Sequence, residues 1–220
     1  MLELEGRRRV VIEGVTPAID GGRFPIKRVC GEEVVVEADA FYDGHDALGC
    51  VLRSRQAGVV DWDEVPMESL GNDRWGGAFT VSHTGIYHYT VVAWIDHFTS
   101  WWRGLAKKVE AGQDIAIDLL IGAELVQRAS LRASGAAAQQ LRVWANLLKD
   151  DRRTVGERRR TALDEALRVA MQDHPDRALA TTYSPELTVV VDRQKARFSA
   201  WYEMFPRSCA PSPGQHGTFK

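Results

Sequence analysis

Histidines and carboxylates are the first places to look for chemistry, and their spacing argues against it. His45, His83, His88, His97, His174 and His216 contain no HExxH or H-x-x-x-H pair, the spacing that puts two imidazoles on one helical face around a metal. His83 and His88 could meet across a turn, but with no third ligand they read as exposed or sheet-face side chains. Asp61, Asp63, Glu64 and Glu68 crowd around Trp62. A glycosidase pair needs two carboxyls about 5–10 Å apart across a sugar cleft, one of them desolvated so that its pKa rises. These four lie in a polar stretch and are expected in a solvated loop. No Walker loop, GxSxG elbow or GxGxxG turn is present. No residue can be given a catalytic, cofactor-binding or metal-ligating role from the sequence.

Two other groups could bind rather than react. Arg152, Arg153, Arg158, Arg159 and Arg160 form a basic run, which Asp150, Asp151 and Glu157 offset. It lacks the interleaved aromatics of a single-strand groove and reads as a solvated helix end. Trp94, Phe98, Trp101 and Trp102 are clustered where the pattern of the chain changes. Aromatics can stack on sugar rings, and they can equally fill a domain junction or a subunit interface. The junction or interface reading is preferred for Trp94, Trp101 and Trp102, with sugar stacking as the alternative.

The elements that would hold these residues divide the chain. Residues 1–98 read as short strands. Val34, Val36, Ala38 and Ala40 share one face of an alternating run, with Glu37 and Asp39 opposite. Gly85-Ile86-Tyr87-His88-Tyr89-Thr90-Val91 is the pattern of a late sandwich strand, whose tyrosine can fold back onto a backbone group. Tyr87, Tyr89, Val91 and Ala93 share a face, and Val92 and Trp94 the other. Residues 99–184 read as four antiparallel helices. The first is capped by Thr99 or Ser100, and the second, Ile115 to about Arg132, is capped by Asp114 and is apolar nearly all round. The third carries Leu141, Trp144, Ala145 and Leu148 on one stripe. The fourth opens on the capping box Thr154-Val155-Gly156-Glu157 and runs towards Pro175. Residues 185–205 return to β, with strands expected over 186–192 and 196–203, and residues 206–220 read as linker. The order implies a β-sandwich with a helical insertion at a loop, where insertions are tolerated.

Bulk composition fits this division. Of 220 residues, 45% are hydrophobic and 26% charged, which is enough to build a core. The net charge of −2 argues against a generic nucleic-acid binder. It is unevenly spread, at −7 over residues 1–97, +3 over 98–183 and +2 over 184–220. Cys30, Cys50 and Cys209 are odd in number and widely spaced. That favours a reducing, cytoplasmic setting over a Cys30–Cys50 disulfide. Arg7, Arg8 and Arg9 precede only a short apolar run, so neither a signal peptide nor a membrane span is expected.

Several strings go beyond a generic sandwich. They are Gly21-Gly22-Arg23-Phe24-Pro25-Ile26-Lys27-Arg28, Asn72-Asp73-Arg74-Trp75, and Gly85-x-Tyr87-x-Tyr89-x-Val91-x-Ala93-Trp94-x-Asp96. Lys107-Lys108-x-x-Ala111-Gly112-Gln113-Asp114 follows, then Trp201-Tyr202-Glu203-Met204-Phe205-Pro206-Arg207-Ser208, then Gly214-Gln215-His216-Gly217-Thr218-Phe219. In this order they resemble the N-terminal region of the bacterial α-1,4-glucan:maltose-1-phosphate maltosyltransferases of the α-amylase superfamily. The resemblance implies an immunoglobulin-like β-sandwich carrying an antiparallel helical bundle, a fold mainly β plus α. It implies a parent enzyme that transfers maltosyl units from maltose 1-phosphate to α-1,4-glucan with retention. Its catalytic residues would lie in a barrel beyond Lys220, so the chain is expected to be cut just before it. It further implies homodimer formation through this region and no cofactor. The competing expectations are an autonomous α-glucan-binding module and a protein-interaction adaptor.

Overall fold

The computed structural model describes residues 6–199 and 201–218 and contains ten strands and five α-helices among them. In chain order the strands are β1 (Val11–Thr16), β2 (Ile26–Val29), β3 (Glu33–Phe41), β4 (Leu48–Gln56) and β5 (Asp63–Pro66). Then come β6 (Glu68–Gly71), β7 (Arg74–Thr80), β8 (Gly85–Ile95), β9 (Thr181–Thr182) and β10 (Leu187–Asp192). Five helices lie between β8 and β9: α1 (His97–Glu110), α2 (Ala116–Arg132), α3 (Gly135–Lys149), α4 (Val155–Ala162) and α5 (Glu165–Asp173).

The strands form two sheets. One runs β1-β3-β7-β6; the other runs β2-β10-β8-β4-β5, with β9 also on β8. A single core draws on both. Val34, Val36, Ala38, Ala40 and Phe79 of the first sheet meet Leu52, Tyr87, Tyr89, Val91, Leu187 and Val189 of the second. The rings of Phe79 and Tyr89 lie 5.7 Å apart across it. The alternation read from β3 and β8 is therefore the alternation of core and outer faces.

Both β8 tyrosines tie the strand to backbone elsewhere. The Tyr87 hydroxyl accepts from the His83 amide at 3.1 Å, and the Tyr89 hydroxyl donates to the Pro17 carbonyl. Burial pushes the Tyr89 phenol up to about 12, so it remains a donor. On the outer face of the first sheet Arg74 bridges Glu37 and Asp39 at 3.1 and 3.0 Å. All three cysteines are free. No helix among the described residues is long and apolar enough to cross a membrane.

Three expectations need correction. The first helix is capped by Asp96, whose carboxylate accepts from the Thr99 amide and hydroxyl, and not by Thr99 or Ser100. The expected fourth helix is two. Asp164 accepts from the Ala166 amide and so caps a new helix, α5, where the longer one would have continued. The strand expected over 196–203 is absent from its described residues, since a 3₁₀ turn spans Gln194–Arg197 and no strand follows. β10 already lies between β8 and β2, so it has no free edge for another strand.

Candidate functional site at the junction of sheets and helices

The chain leaves the second sheet through β8 and returns beside it through β9, so both crossings meet at one place. On the way out, Asp96 caps α1, and its amide donates to the Ala47 carbonyl at 2.7 Å. The Ser100 hydroxyl donates to the Asp96 carbonyl and accepts from the Ala47 amide, pinning α1 to the chain just before β4. On the way back, Thr181 and Thr182 pair with Ala93 and Val92. The Tyr183 amide then donates to the Val91 carbonyl, and the Thr90 hydroxyl to the Tyr183 carbonyl.

Trp94 occupies the centre of this junction. It faces Gly49 across the β4–β8 ladder and packs with Val51, Val92 and Ala180. The Arg177 guanidinium lies over its ring, 4.4 Å from the centroid. Arg177 also donates to Glu64 at 2.6 Å, and Glu64 accepts from Arg53 at 2.7 Å. One carboxylate on β5 thus holds an arginine of the sheet and an arginine of the returning segment. Burial alone would raise the Glu64 pKa. The hydrogen bonds and charges of Arg177 and Arg53 outweigh it and hold the carboxyl below its usual range.

The sign of the linkage follows. A lowered carboxylate pKa contributes stability that is present above the ordinary value, roughly 4.3, and is lost as pH falls through the folded value. Glu64→Gln is expected to cost about 1–2 kcal/mol at neutral pH, because two arginines lose their shared acceptor. The cost should shrink as the pH falls below 4, as checked by urea unfolding across a pH series. A pH-independent cost would remove the ion triad from the account.

The helical side has its own key. Trp101 of α1 lies on Gly122 of α2 and donates its indole N–H to the Asp118 carbonyl at 2.7 Å. Phe98 packs against it, and Lys108 pairs with the Asp118 carboxylate at 2.7 Å. Around this pair Leu105, Leu119, Val126, Leu141, Leu148 and Leu167 form a second core.

The sequence-selected aromatics fall inside this framework. Trp94 is 7% exposed and Trp101 9%, while Trp102 is half-buried against the helical core. Trp62 lies under Arg55, Trp75 donates to the Ala40 carbonyl, and Trp101 is in the helices. Trp62, Trp75 and Trp101 do not form one exposed plane. Of the seven tryptophans only Trp201 is exposed, at 92%. The acidic cluster is not a free loop: Asp63–Pro66 and Glu68–Gly71 are strands, and Glu64 is the bridging carboxylate. The sequence reading missed this bridge, since nothing local links positions 53, 64 and 177. Of the basic run, Arg152 and Arg153 sit on the exposed turn before α4, while Arg158, Arg159 and Arg160 lie within α4 and Arg158 is half-buried.

A cavity of about 60 Å³ opens between Trp94, Phe98, Arg128 and Asp176, and a shallow, open depression of about 580 Å³ adjoins it, lined by Glu64, Arg132, His174, Asp176 and Arg177. Among the described residues no three His, Cys, Asp or Glu side chains gather as metal ligands would.

The model of domain N/S of the α-1,4-glucan:maltose-1-phosphate maltosyltransferases matches residues 8–193. The chain belongs to that family. It is 47% identical over 216 residues to the α-1,4-glucan:maltose-1-phosphate maltosyltransferase of Chlorobaculum tepidum. That alignment covers 98% of this chain and 32% of the relative. It is 40% identical to that of Methylacidiphilum infernorum over 219 residues, covering 100% of this chain and 32% of the relative. With that of Myxococcus xanthus it shares 44% identity over 227 residues, covering 96% and 33%. The chain thus spans about a third of the length of these maltosyltransferases.

Proposed function

We propose that this chain is the non-catalytic structural and dimerisation part of a cytoplasmic enzyme that transfers maltosyl units from maltose 1-phosphate to α-1,4-glucan. Its two sheets serve as an immunoglobulin-like sandwich, and its helices as an antiparallel bundle inserted between β8 and β9. The family match over residues 8–193, against relatives three times as long, carries the reading. The interior supports it. Cys50 and Tyr89, the groups whose pKa is pushed up to about 12, both sit in the sheet core with no cleft beside them. At the junction Glu64 pairs with Arg53 and Arg177, and Asp176 with Arg132.

The purified chain is expected to release no phosphate from maltose 1-phosphate and to extend no maltohexaose acceptor. Turnover that scales with chain concentration would reject the non-catalytic role. Self-association of the same sample, followed by sedimentation velocity, tests the dimerisation role separately.

A further inference from the structure

α1 and α5 leave a cleft of about 280 Å³ between them, and no acid is among the five residues that line it. α1 contributes Thr99, Trp102 and Arg103, and α5 contributes Arg168 and Gln172. Positions three and four apart share one face of a helix, which brings each set onto one wall. The Thr99 hydroxyl donates to the Asp96 carboxylate at 2.6 Å, so the acid that caps α1 is already occupied. Arg168 donates from Nε and Nη2 to Glu165 and keeps Nη1 free of that pair. Arg103 is exposed and makes no hydrogen bond or ion pair among the described residues. The Trp102 indole N–H is buried and has no acceptor.

The two sides of Arg103 differ in sign. Arg103 also borders a depression of about 380 Å³, but that one is lined by Asp46 and Asp73 and would repel an anion. The α1–α5 cleft would attract one. Its two guanidinium groups come from different helices, so neither has to clamp the ligand alone. A planar carboxylate is best held bidentate by a single arginine, whereas a phosphate offers three oxygens in different directions. The half-buried Trp102 ring adds an apolar wall, on which a sugar ring can lie. The volume suits a small ligand, since small-molecule sites begin at roughly 300 Å³.

We propose that the α1–α5 cleft binds a phosphate group, free or carried on a small sugar. Arg103 and Arg168 hold the phosphate oxygens, Gln172 donates its side-chain amide, and Trp102 forms the wall beside them. The site stands apart from the structural and dimerisation reading above and does not depend on it. Two charge-assisted contacts at a partly solvated cleft correspond to a dissociation constant of about 1 mM.

Titration of the ¹⁵N-labelled chain with inorganic phosphate, glucose 1-phosphate and glucose, at constant ionic strength, tests it. The Trp102 indole N–H resonance, assigned by its loss in Trp102→Phe, should move saturably with both phosphate ligands and stay in place with glucose. Tighter binding of glucose 1-phosphate identifies a phosphorylated sugar as the ligand, and equal or weaker binding identifies free phosphate. Arg103→Gln and Arg168→Gln should each raise the dissociation constant severalfold. Arg103 makes no hydrogen bond or ion pair in the fold, so its variant decides alone if Arg168→Gln loosens α5. Arg142→Gln, at an exposed position of α3, should leave binding unchanged. No saturable shift with either phosphate ligand up to about 20 mM, well above the expected constant, would overturn the site. So would binding that survives Arg103→Gln undiminished, or that Arg142→Gln weakens as much, since either places the anion elsewhere on the surface.

Discussion

Trp101→Ala is expected to lower the unfolding free energy by about 3–5 kcal/mol, the cost of emptying a large aromatic site in a packed interior. The indole is 9% exposed and keys α1 to α2. A Cβ at Gly122 would stand 2.0 Å from Trp101 Cζ2, so the ring lies directly on the α2 backbone. Gly122 is the one glycine of α2, so the helix offers the ring this seat at that position alone. The Phe98 ring, 5.3 Å away, also loses its partner. The second site allows a reciprocal test. Gly122→Ala alone should destabilise, because its methyl meets a buried ring. In the Trp101→Ala background the same methyl enters vacated space and adds about 1 kcal/mol of helix propensity. The second substitution should then change sign from costly to favourable. Urea midpoints at constant m-value measure both. A loss under 1 kcal/mol for Trp101→Ala would mean that α1 is held to α2 by other contacts.

How much of this was legible in the sequence depends on the range of the interaction. β3 and β8 announce themselves by alternation, because one face of each is buried and the pleat alone sorts their residues. The capping box at Thr154 and Glu157 is a contact over three residues, and it forms as read. The break at Asp164 was equally local. It is masked in the sequence by the apolar stripe, which continues in register through Leu163, Leu167 and Met171. β2 is four residues long with two charges in the middle, and its partner β10 lies some 160 residues further on. Nothing in Ile26-Lys27-Arg28-Val29 reports that partner. Residues 196–203 show the reverse error. Phe198 and Tyr202 alternate as a strand would, yet a strand needs a free edge, and β10 has none. The junction was half legible. Its aromatics cluster in sequence, so Trp94 and Trp101 could be picked out. Arg53, Glu64 and Arg177 come from three distant segments, and a carboxylate between two arginines has no local signature. α2 is an intermediate case. A helix apolar nearly all round reads as fully buried, and only the fold shows that one face of it is uncovered.

Gly49→Ala probes the joint between the two halves, and is expected to cost about 2–3 kcal/mol, the upper part of the range for overpacking. Gly49 and Trp94 are register partners on β4 and β8, and the indole lies across the glycine. A Cβ there would stand 2.4 Å from Trp94 Cε2 and 2.5 Å from Cζ2. A long aliphatic side chain could swing aside at little cost, but a rigid indole with neighbours on both faces cannot. Arg177 covers the ring at 4.4 Å, and Arg177 is itself held by Glu64 at 2.6 Å. Moving the indole therefore strains the ion triad as well as the ladder. Two consequences separate this account from a general loss of strand propensity. In a Trp94→Leu background the added methyl meets a smaller, mobile neighbour, so its cost should fall by about 1–2 kcal/mol, a coupling typical of residues in contact. In a Glu64→Gln background the cost should also fall, because Arg177 is free to yield with the ring. Additivity of Gly49→Ala with both would show that the indole is not wedged between strand and arginine, and that the sheets and helices are joined chiefly through Asp96, Ser100 and the β8–β9 pairing.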